Sequence, residues 1–265
     1  MTGKAFPQTD AGDVLSDDAF LGGALHILQP KSGYRAGIDP VLLAASLHPT
    51  GAAHVLDAGA GVGVAGLTIA RRVTQAKVTL VEQDPLLVEI ARSNIARNGM
   101  ADRVQAIAAD ITRTLSASPE LHAMAECCVH VLANPPFMVH GRGTAAGDPI
   151  KAAANAMPAG SLERWMRFAA SMLRPGGTLA LIHRADALAD VLAALDGLFG
   201  NVAVLPVHPY ADKPALRILV HAARGSRAPL RLLPGLVLHN TDRSFSADVE
   251  AVLRHGAALD AFRDR

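Results

Sequence analysis

A glycine-rich turn between an apolar strand and a helix is the feature that most constrains the fold of this chain. Residues 54–58 form the strand, residues 59–63 read Gly-Ala-Gly-Val-Gly, and a helical pattern runs from Val64 to Val73. Glycines let the backbone approach a ligand closely. Because open α/β sheets bind ligands beyond the carboxyl ends of their strands, we predict that Gly59 and Gly61 form part of a binding site.

Two further apolar runs end in acidic residues. Residues 78–82 end at Glu82 and residues 104–110 end at Asp110. Glu82 follows the glycines by about twenty residues, the spacing at which a carboxylate can accept hydrogen bonds from both ribose hydroxyls. Asp110 could accept a hydrogen bond from an adenine amino group. We assign the neighbouring Gln83 and Ile111 to the same cofactor-binding surface.

The acid before the turn separates this pattern from that of a dinucleotide dehydrogenase, which shares the order of strand, glycine turn, helix, strand and acid. The turn lacks the G-x-G-x-x-G spacing expected for a pyrophosphate. A carboxylate at Asp57 would repel a pyrophosphate but would suit the ammonium group of an amino acid. We therefore expect Asp57 to contact a ligand of that kind.

A second motif, Asn134-Pro135-Pro136-Phe137, follows the apolar run at residues 129–133. An amino group conjugated with a ring reacts as a nucleophile only when acceptors hold its N–H groups and aim the nitrogen. We predict the Asn134 side-chain oxygen and the Pro135 carbonyl as these acceptors, with Phe137 stacked on the flat substrate. A proline-stiffened loop is the structural alternative for this motif taken alone.

The combined motifs resemble those of the class I S-adenosylmethionine-dependent methyltransferases. The resemblance covers residues 30 to 225 and rests on Asp57, Gly59, Gly61, Glu82, Asp110 and Asn134. It implies an α/β fold with a doubly wound, mostly parallel seven-stranded sheet of Rossmann-like type and a closing antiparallel strand. It also implies S-adenosyl-L-methionine as the cofactor and Asn134, Pro135 and Phe137 as catalytic residues.

The leading segment narrows the resemblance further. Residues 33–44, which read Gly-Tyr-Arg-Ala-Gly-Ile-Asp-Pro-Val-Leu-Leu-Ala, are similar to the bacterial tRNA1(Val) adenine-37 N6-methyltransferase family. The resemblance implies that this segment covers the cofactor, with Asp39 in contact with it, and that adenine N6 in tRNA is methylated. Guanine N2 of ribosomal RNA and protein glutamine N5 remain as alternatives. The substrate-binding residues that we predict are Tyr34, Arg35, Phe137, Arg142 and Lys151.

Composition is consistent with one folded domain. The chain has 265 residues, of which 50% are hydrophobic and 18% charged, so a large buried core is expected. Its formal net charge of +1 means that any grip on RNA phosphates must come from a local patch. Candidates for such a patch are Lys31, Arg35, Arg142, Lys151, Arg224, Arg227 and Arg231.

We divide the chain into a flexible leader (1–20), a methyltransferase domain (21–225) and a C-terminal strand pair and helix (226–265) packed on that domain. Residues 21–50 are the cofactor-covering segment, and residues 138–160 are predicted to form a substrate lid. The only cysteines, Cys127 and Cys128, are neighbours, which favours a reducing cytoplasm. We expect no membrane span and no metal, and the oligomeric state stays open.

Overall fold

The computed structural model describes residues 14–33, 35–136, 138–139, 156–157 and 160–263, with the backbone alone at 138–139 and 156–157. The strands are β1 (Leu15–Phe20), β2 (Leu25–Pro30), β3 (His54–Ala58), β4 (Lys77–Glu82), β5 (Val104–Ala108), β6 (Cys128–Ala133), β7 (Met138–Val139), β8 (Ala156–Met157), β9 (Leu173–Arg184), β10 (Phe199–His208), β11 (Arg217–Arg224), β12 (Arg231–Leu232) and β13 (Leu236–Val237). The helices are α1 (Asp39–Ser46), α2 (Val64–Arg72), α3 (Pro85–Arg97), α4 (Pro119–Ala123), α5 (Ser161–Met172), α6 (Leu188–Leu195) and α7 (Ala247–His255). None of the described helices is long and apolar enough to cross a membrane.

The main sheet has the strand order β12-β10-β11-β9-β6-β3-β4-β5, and β13 also pairs with β10. Strands β3, β4, β5, β6 and β9 run parallel to their neighbours in this group, whereas β11 is antiparallel to both β9 and β10. The predicted doubly wound, mostly parallel sheet with a closing antiparallel strand is confirmed. The two-residue strands β12 and β13 extend it beyond the seven long strands.

The order of the strands creates a crevice in the middle of the sheet. The chain runs from β3 outward to β4 and β5, and then crosses back to β6 on the other side of β3. The connection that leaves β3 therefore leads toward β4 at one edge of the sheet, and the connection that leaves β6 leads toward β9 at the other edge. Open α/β sheets bind their ligands at such a reversal, outside the carboxyl ends of the strands.

Strand β2 is held on the domain by Asn94 of α3 and by Asn98, which caps the C-terminal end of that helix. Asn94 exchanges hydrogen bonds with the backbone of Leu28 (2.8 and 3.1 Å), and Asn98 does the same with His26 (3.0 and 2.7 Å). Strand β2, which pairs with β1 on its other edge, thus has its outer polar groups satisfied by side chains. The prediction of a flexible leader up to residue 20 is wrong from residue 15, because residues 15–20 form β1.

The C-terminal segment differs in its pairing from the prediction. Strands β12 and β13 pair in parallel with β10 and not with one another, because β10 would otherwise present an open edge. The predicted helix is present as α7, which ends at Gly256 in a left-handed conformation. The N–H of Leu259 then donates to the carbonyl of Ala45 (2.8 Å), which ties the end of the described chain to α1.

A partly buried histidine lies between β11, α1 and the C-terminal segment. Nε2 of His221 is 2.9 Å from Oγ of Ser46, and its ring stacks on Phe262 with a centroid distance of 3.7 Å. Burial, followed by the nearby His130 and His48, lowers the pKa of His221 from 6.5 to about 3. The imidazole is therefore neutral in the folded protein at neutral pH.

The lowered pKa of this partly buried imidazole predicts a pH dependence of stability. As pH falls from 6.5 to 4 the unfolded chain binds a proton at residue 221 and the folded chain does not, so the wild type loses stability. We expect the free energy of unfolding of His221→Phe, relative to wild type, to rise by about 3 kcal/mol over that range. Urea unfolding at several pH values measures the difference. The substitution His122→Phe, at an exposed position, is the control. If the free energy of unfolding relative to wild type does not change with pH for either variant, the assignment is contradicted.

Candidate active site

A cavity of about 1160 Å³ opens at the crevice of the sheet. This volume lies near the upper end of the range of about 300–1,000 Å³ that is common for small-molecule sites. The residues that line it from strand ends are Gly59 and Gly61 after β3, Glu82 and Gln83 at β4, Asp110 and Ile111 after β5, Asn134 and Pro135 after β6, Arg184 of β9 and Arg217 of β11. The leading segment adds Arg35 and Asp39.

Asp57 does not line this cavity. Its side chain is buried under the glycine turn, where Oδ2 accepts the N–H of Gly66 in the first turn of α2 (2.8 Å). Burial, together with the charge of Glu82, raises the pKa of Asp57 to about 7. One oxygen of the Asp57 carboxyl group thus fixes the start of α2, and its contact with a ligand ammonium stays a prediction.

Gly59 stands at the top of β3 with a φ of +63°, a value that side chains other than glycine rarely adopt. A Cβ at this position would overlap the indole ring of Trp165, which α5 brings over the turn. Trp165 is almost fully buried and also lines the cavity. The sequence places Trp165 on the inner face of a helix but carries no signal that it meets Gly59.

The two predicted carboxylates are held in fixed orientations. Oε2 of Glu82 accepts the N–H of Gly61 (2.9 Å), and its Oε1 accepts the N–H groups of Gln83 (2.8 Å) and Asp84 (2.9 Å). Oδ1 of Asp110 accepts the N–H and the hydroxyl of Thr112 (2.9 and 2.6 Å). Both groups reach the cavity as oriented acceptors, which suits recognition of ligand hydroxyl or amino groups.

Asn134 directly follows β6 at the boundary between the glycine turn and the rest of the cavity. Its Oδ1 is buried and has no hydrogen-bond partner among the described residues. Leaving a buried acceptor unpaired costs about 1–3 kcal/mol. The prolines that follow cannot supply the donor, because they have no backbone N–H. This oxygen is therefore positioned to accept an N–H or O–H from a ligand.

The cations predicted to grip a substrate are placed differently from expectation. Arg35 lines the cavity, but its guanidinium donates to Oγ of Ser16 (2.7 Å), Oδ2 of Asp18 (2.8 Å) and the Pro30 carbonyl, so it braces the β1–β2 hairpin. Tyr34, Phe137, Arg142 and Lys151 lie outside the described residues.

The predicted basic cluster in the C-terminal part is corrected in position. Because β11 runs antiparallel to β9, its first residue, Arg217, faces the cavity and its last residue, Arg224, lies at the opposite end of the sheet. Arg224 is bonded there to the Glu126 carboxylate and to the Leu173 carbonyl. Neither Arg224 nor the following Arg227 and Arg231 lines the cavity.

Comparison with known proteins decides the family. The profile of the methyltransferase small domain matches residues 36–208. This chain belongs to the methyltransferase small domain family. The predictions of a methyltransferase and of S-adenosylmethionine as its cofactor are thereby confirmed.

Several relatives of this methyltransferase are named tRNA1(Val) (adenine(37)-N6)-methyltransferase. The one from Porphyromonas gingivalis is 34% identical over 178 residues, which are 66% of this chain and 68% of the relative. The one from Aeromonas hydrophila is 30% identical over 228 residues, or 83% of this chain and 89% of the relative. A solved structure from Agrobacterium tumefaciens, described as a predicted O-methyltransferase, superposes with a TM-score of 0.71 at 31% identity, covering 83% of this chain and 98% of that one.

The cavity of the methyltransferase fits S-adenosylmethionine, which supplies an electrophilic methyl group on a sulfonium. Gly59 and Gly61 line the cavity without side chains, and Glu82 and Asp110 offer acceptors on the next two strands. Among the described residues there is no group of three or more His, Cys, Asp or Glu side chains that could hold a metal ion.

The contact between Gly59 and Trp165 predicts an unusually costly substitution. Gly59→Ala should lower the free energy of unfolding by about 1–2 kcal/mol because a left-handed alanine is strained. Overpacking against the indole ring should lower it by about 1–3 kcal/mol more. Gly99→Ala is the control, because Gly99 has a similar φ of +66° but no atom within 4 Å of its added Cβ. Urea unfolding measures both, and equal losses would show that Trp165 yields without cost.

Proposed function

We propose that this methyltransferase transfers a methyl group from S-adenosylmethionine to N6 of an adenine in tRNA. The observation that carries the proposal is the Oδ1 of Asn134 at the end of β6, which is buried and has no hydrogen-bond partner in the part of the chain that the structure describes. The names of the relatives from Porphyromonas gingivalis and Aeromonas hydrophila support tRNA adenine as the substrate. A cytoplasmic location goes with this substrate, and the free thiols of Cys127 and Cys128 are consistent with a reducing compartment.

The half of the cavity at β3, β4 and β5 holds the cofactor in this proposal. The backbone at Gly59 and Gly61 lies against its amino-acid part. Glu82 accepts from the ribose hydroxyls, and Asp110 accepts from the adenine amino group. The remaining contacts come from Gln83 and Ile111, which flank the two carboxylates, and from Asp39, which lines the cavity where it is bonded to Arg217.

Asn134 and Pro135 hold the substrate amine. The amide oxygen and the Pro135 carbonyl accept its two N–H groups, so that the nitrogen lone pair points at the methyl group. Neither acceptor can take up a proton at neutral pH. The amine does not need a general base before it attacks, because the methylated product loses its extra proton easily. Phe137, two residues after Pro135 and outside the described residues, is predicted to stack on the base.

A hydroxyl substrate fits these groups less well. An alcohol becomes a strong nucleophile only when a general base removes its proton. The carboxylates of Glu82 and Asp110 lie at β4 and β5, on the far side of β3 from Asn134, and are already engaged by backbone N–H groups. The amide at the substrate position thus favours N-methylation over the O-methylation named for the Agrobacterium structure.

Removal of the acceptor tests the catalytic proposal. Asn134→Ala should lower the turnover number with tRNA by about 100-fold, because one preorganised acceptor is lost, and should leave cofactor affinity nearly unchanged. Transfer of tritiated methyl groups to bulk tRNA, ribosomal RNA and a glutamine-bearing protein is measured in parallel, with mass spectrometry of the modified nucleoside.

The wild type is expected to label tRNA at adenine N6, and the exposed Asn240→Ala serves as the control for loss of an asparagine. If only the protein is labelled, or only guanine, that group is the target and adenine is not. Normal turnover of Asn134→Ala on tRNA would exclude the proposed acceptor.

The cofactor half is tested separately. Glu82→Gln keeps the shape of the side chain and removes its charge, so it should weaken S-adenosylmethionine binding by about 1.5–3 kcal/mol, the value of a charge-assisted hydrogen bond. Isothermal titration calorimetry measures the affinity. Glu89→Gln, at a half-exposed position of α3 paired with Arg92, is the matched control. Wild-type affinity in Glu82→Gln would remove Glu82 from the cofactor site.

A further inference from the structure

Two arginines lie side by side on the substrate side of the cavity. Arg184 ends β9 and Arg217 begins β11, and they are direct partners in the antiparallel register of these strands. Residues that are directly opposite in an antiparallel pair project from the same face of the sheet. Both side chains line the cavity that also contains Asn134.

The stability of the sheet does not explain this pair. Like charges directly opposite one another destabilise a sheet. Nε of Arg184 donates to Oδ1 of Asp186 (2.9 Å), and Nε of Arg217 donates to Oδ2 of Asp39 (3.0 Å). The Asp186 side chain is 63% exposed, so its ion pair contributes only about 0–1 kcal/mol. Each guanidinium thus has one carboxylate partner, and an anion bound between the two groups would be a further partner for both of them.

The guanidinium of Arg184, which lines the cavity, retains donor capacity. It uses Nε and Nη2 for Asp186, and its Nη1 has no hydrogen-bond partner within the described part of the chain. The ion pair also restrains the orientation of the group. A planar guanidinium with its N–H donors in a fixed fork matches the geometry of a phosphate.

The other described cations do not serve this side of the cavity. Arg35, Arg184 and Arg217 are the positively charged residues among its described lining. Arg35 is engaged by the hairpin through Ser16 and Asp18. Since β9 and β11 follow β6 in the sheet, the pair lies one and two strand spacings from Asn134, roughly 5–10 Å across the sheet.

We infer that Arg184 and Arg217 bind a backbone phosphate of the RNA beside the methylated base. The inference rests on the proposed function, because it requires a nucleotide whose base reaches Asn134. It explains how a chain with a net charge of only +1 can bind a polyanion, because two positive charges are placed together at one point of the cavity wall.

Substitution of each arginine tests the phosphate site. Arg184→Gln and Arg217→Gln should each raise KM for tRNA about tenfold or more and leave kcat nearly unchanged, because a charged hydrogen bond to the RNA is lost. The slope of log(kcat/KM) against log salt should become less steep by about 1 for each contact. Arg184→Lys keeps the charge and should retain the salt slope. Arg224→Gln, at the far end of β11, is the matched control.

A modified RNA identifies the phosphate as the partner. A tRNA stem-loop with one uncharged methylphosphonate linkage next to the target adenine should bind the wild type about tenfold more weakly than the unmodified RNA does. The same linkage should cause little further loss in Arg184→Gln, because both changes remove one interaction. If the losses of affinity caused by the linkage and by Arg184→Gln add up at every tested linkage, Arg184 does not contact the phosphate.

The outcomes separate the inference from the proposed function. No transfer by the wild type to any RNA overturns both. Transfer to tRNA with an unchanged KM and salt slope in Arg184→Gln overturns the phosphate site alone. Thermal unfolding and cofactor calorimetry check each variant. If Arg217→Gln fails to fold because Asp39 loses its partner, Arg184→Gln decides the question, since Asp186 is solvated without it.

Discussion

The hydrogen bond between the buried carboxyl of Asp57 and the N–H of Gly66 fixes the start of α2 relative to β3, and the rest of the cofactor half depends on it. A Cβ at Gly66 would overlap Leu80 of β4, so the helix sits as close to the sheet as the backbone allows. This seating places the N–H of Gly61 within 2.9 Å of Glu82. One buried acid thus sets the relation between the turn and the next strand end.

Asp57 and His221 give the fold opposite responses to pH. Folded Asp57 keeps its proton up to about pH 7, whereas the unfolded chain releases it near 3.8, so its contribution to stability is lost as pH rises through about 7. The neutral His221 works in the other direction, because its contribution is lost as pH falls below 6.5. The two slopes oppose each other between pH 4 and 6.5. A flat profile of the wild type in this range would therefore hide two large and compensating effects.

The sequence predicts those parts of the site that depend on local patterns. The glycine turn, Glu82, Asp110 and Asn134 each follow an apolar run, and parallel strands bring such ends to one edge of the sheet. Contacts between distant segments depend on the register of the strands and on which faces of the elements meet, and the periodicity of the sequence does not predict either. Trp165 over Gly59, Asn94 against β2 and the pairing of Arg184 with Arg217 are of this kind. The direction of β11 likewise decides that Arg217 faces the cavity and Arg224 does not.

The neutral amide at residue 134 also bears on which amines the site can accept. A carboxylate at this position would attract protonated aliphatic amines, whose lone pair is already bound to a proton and cannot attack a methyl group. An amide oxygen has no net charge and accepts equally well from an uncharged amino group. Ring-conjugated amines and carboxamides are uncharged at neutral pH. In the proposed function Asn134 therefore selects for amines that are weak bases, and the proposed phosphate site places the charge that attracts the substrate on Arg184 and Arg217, one and two strands away.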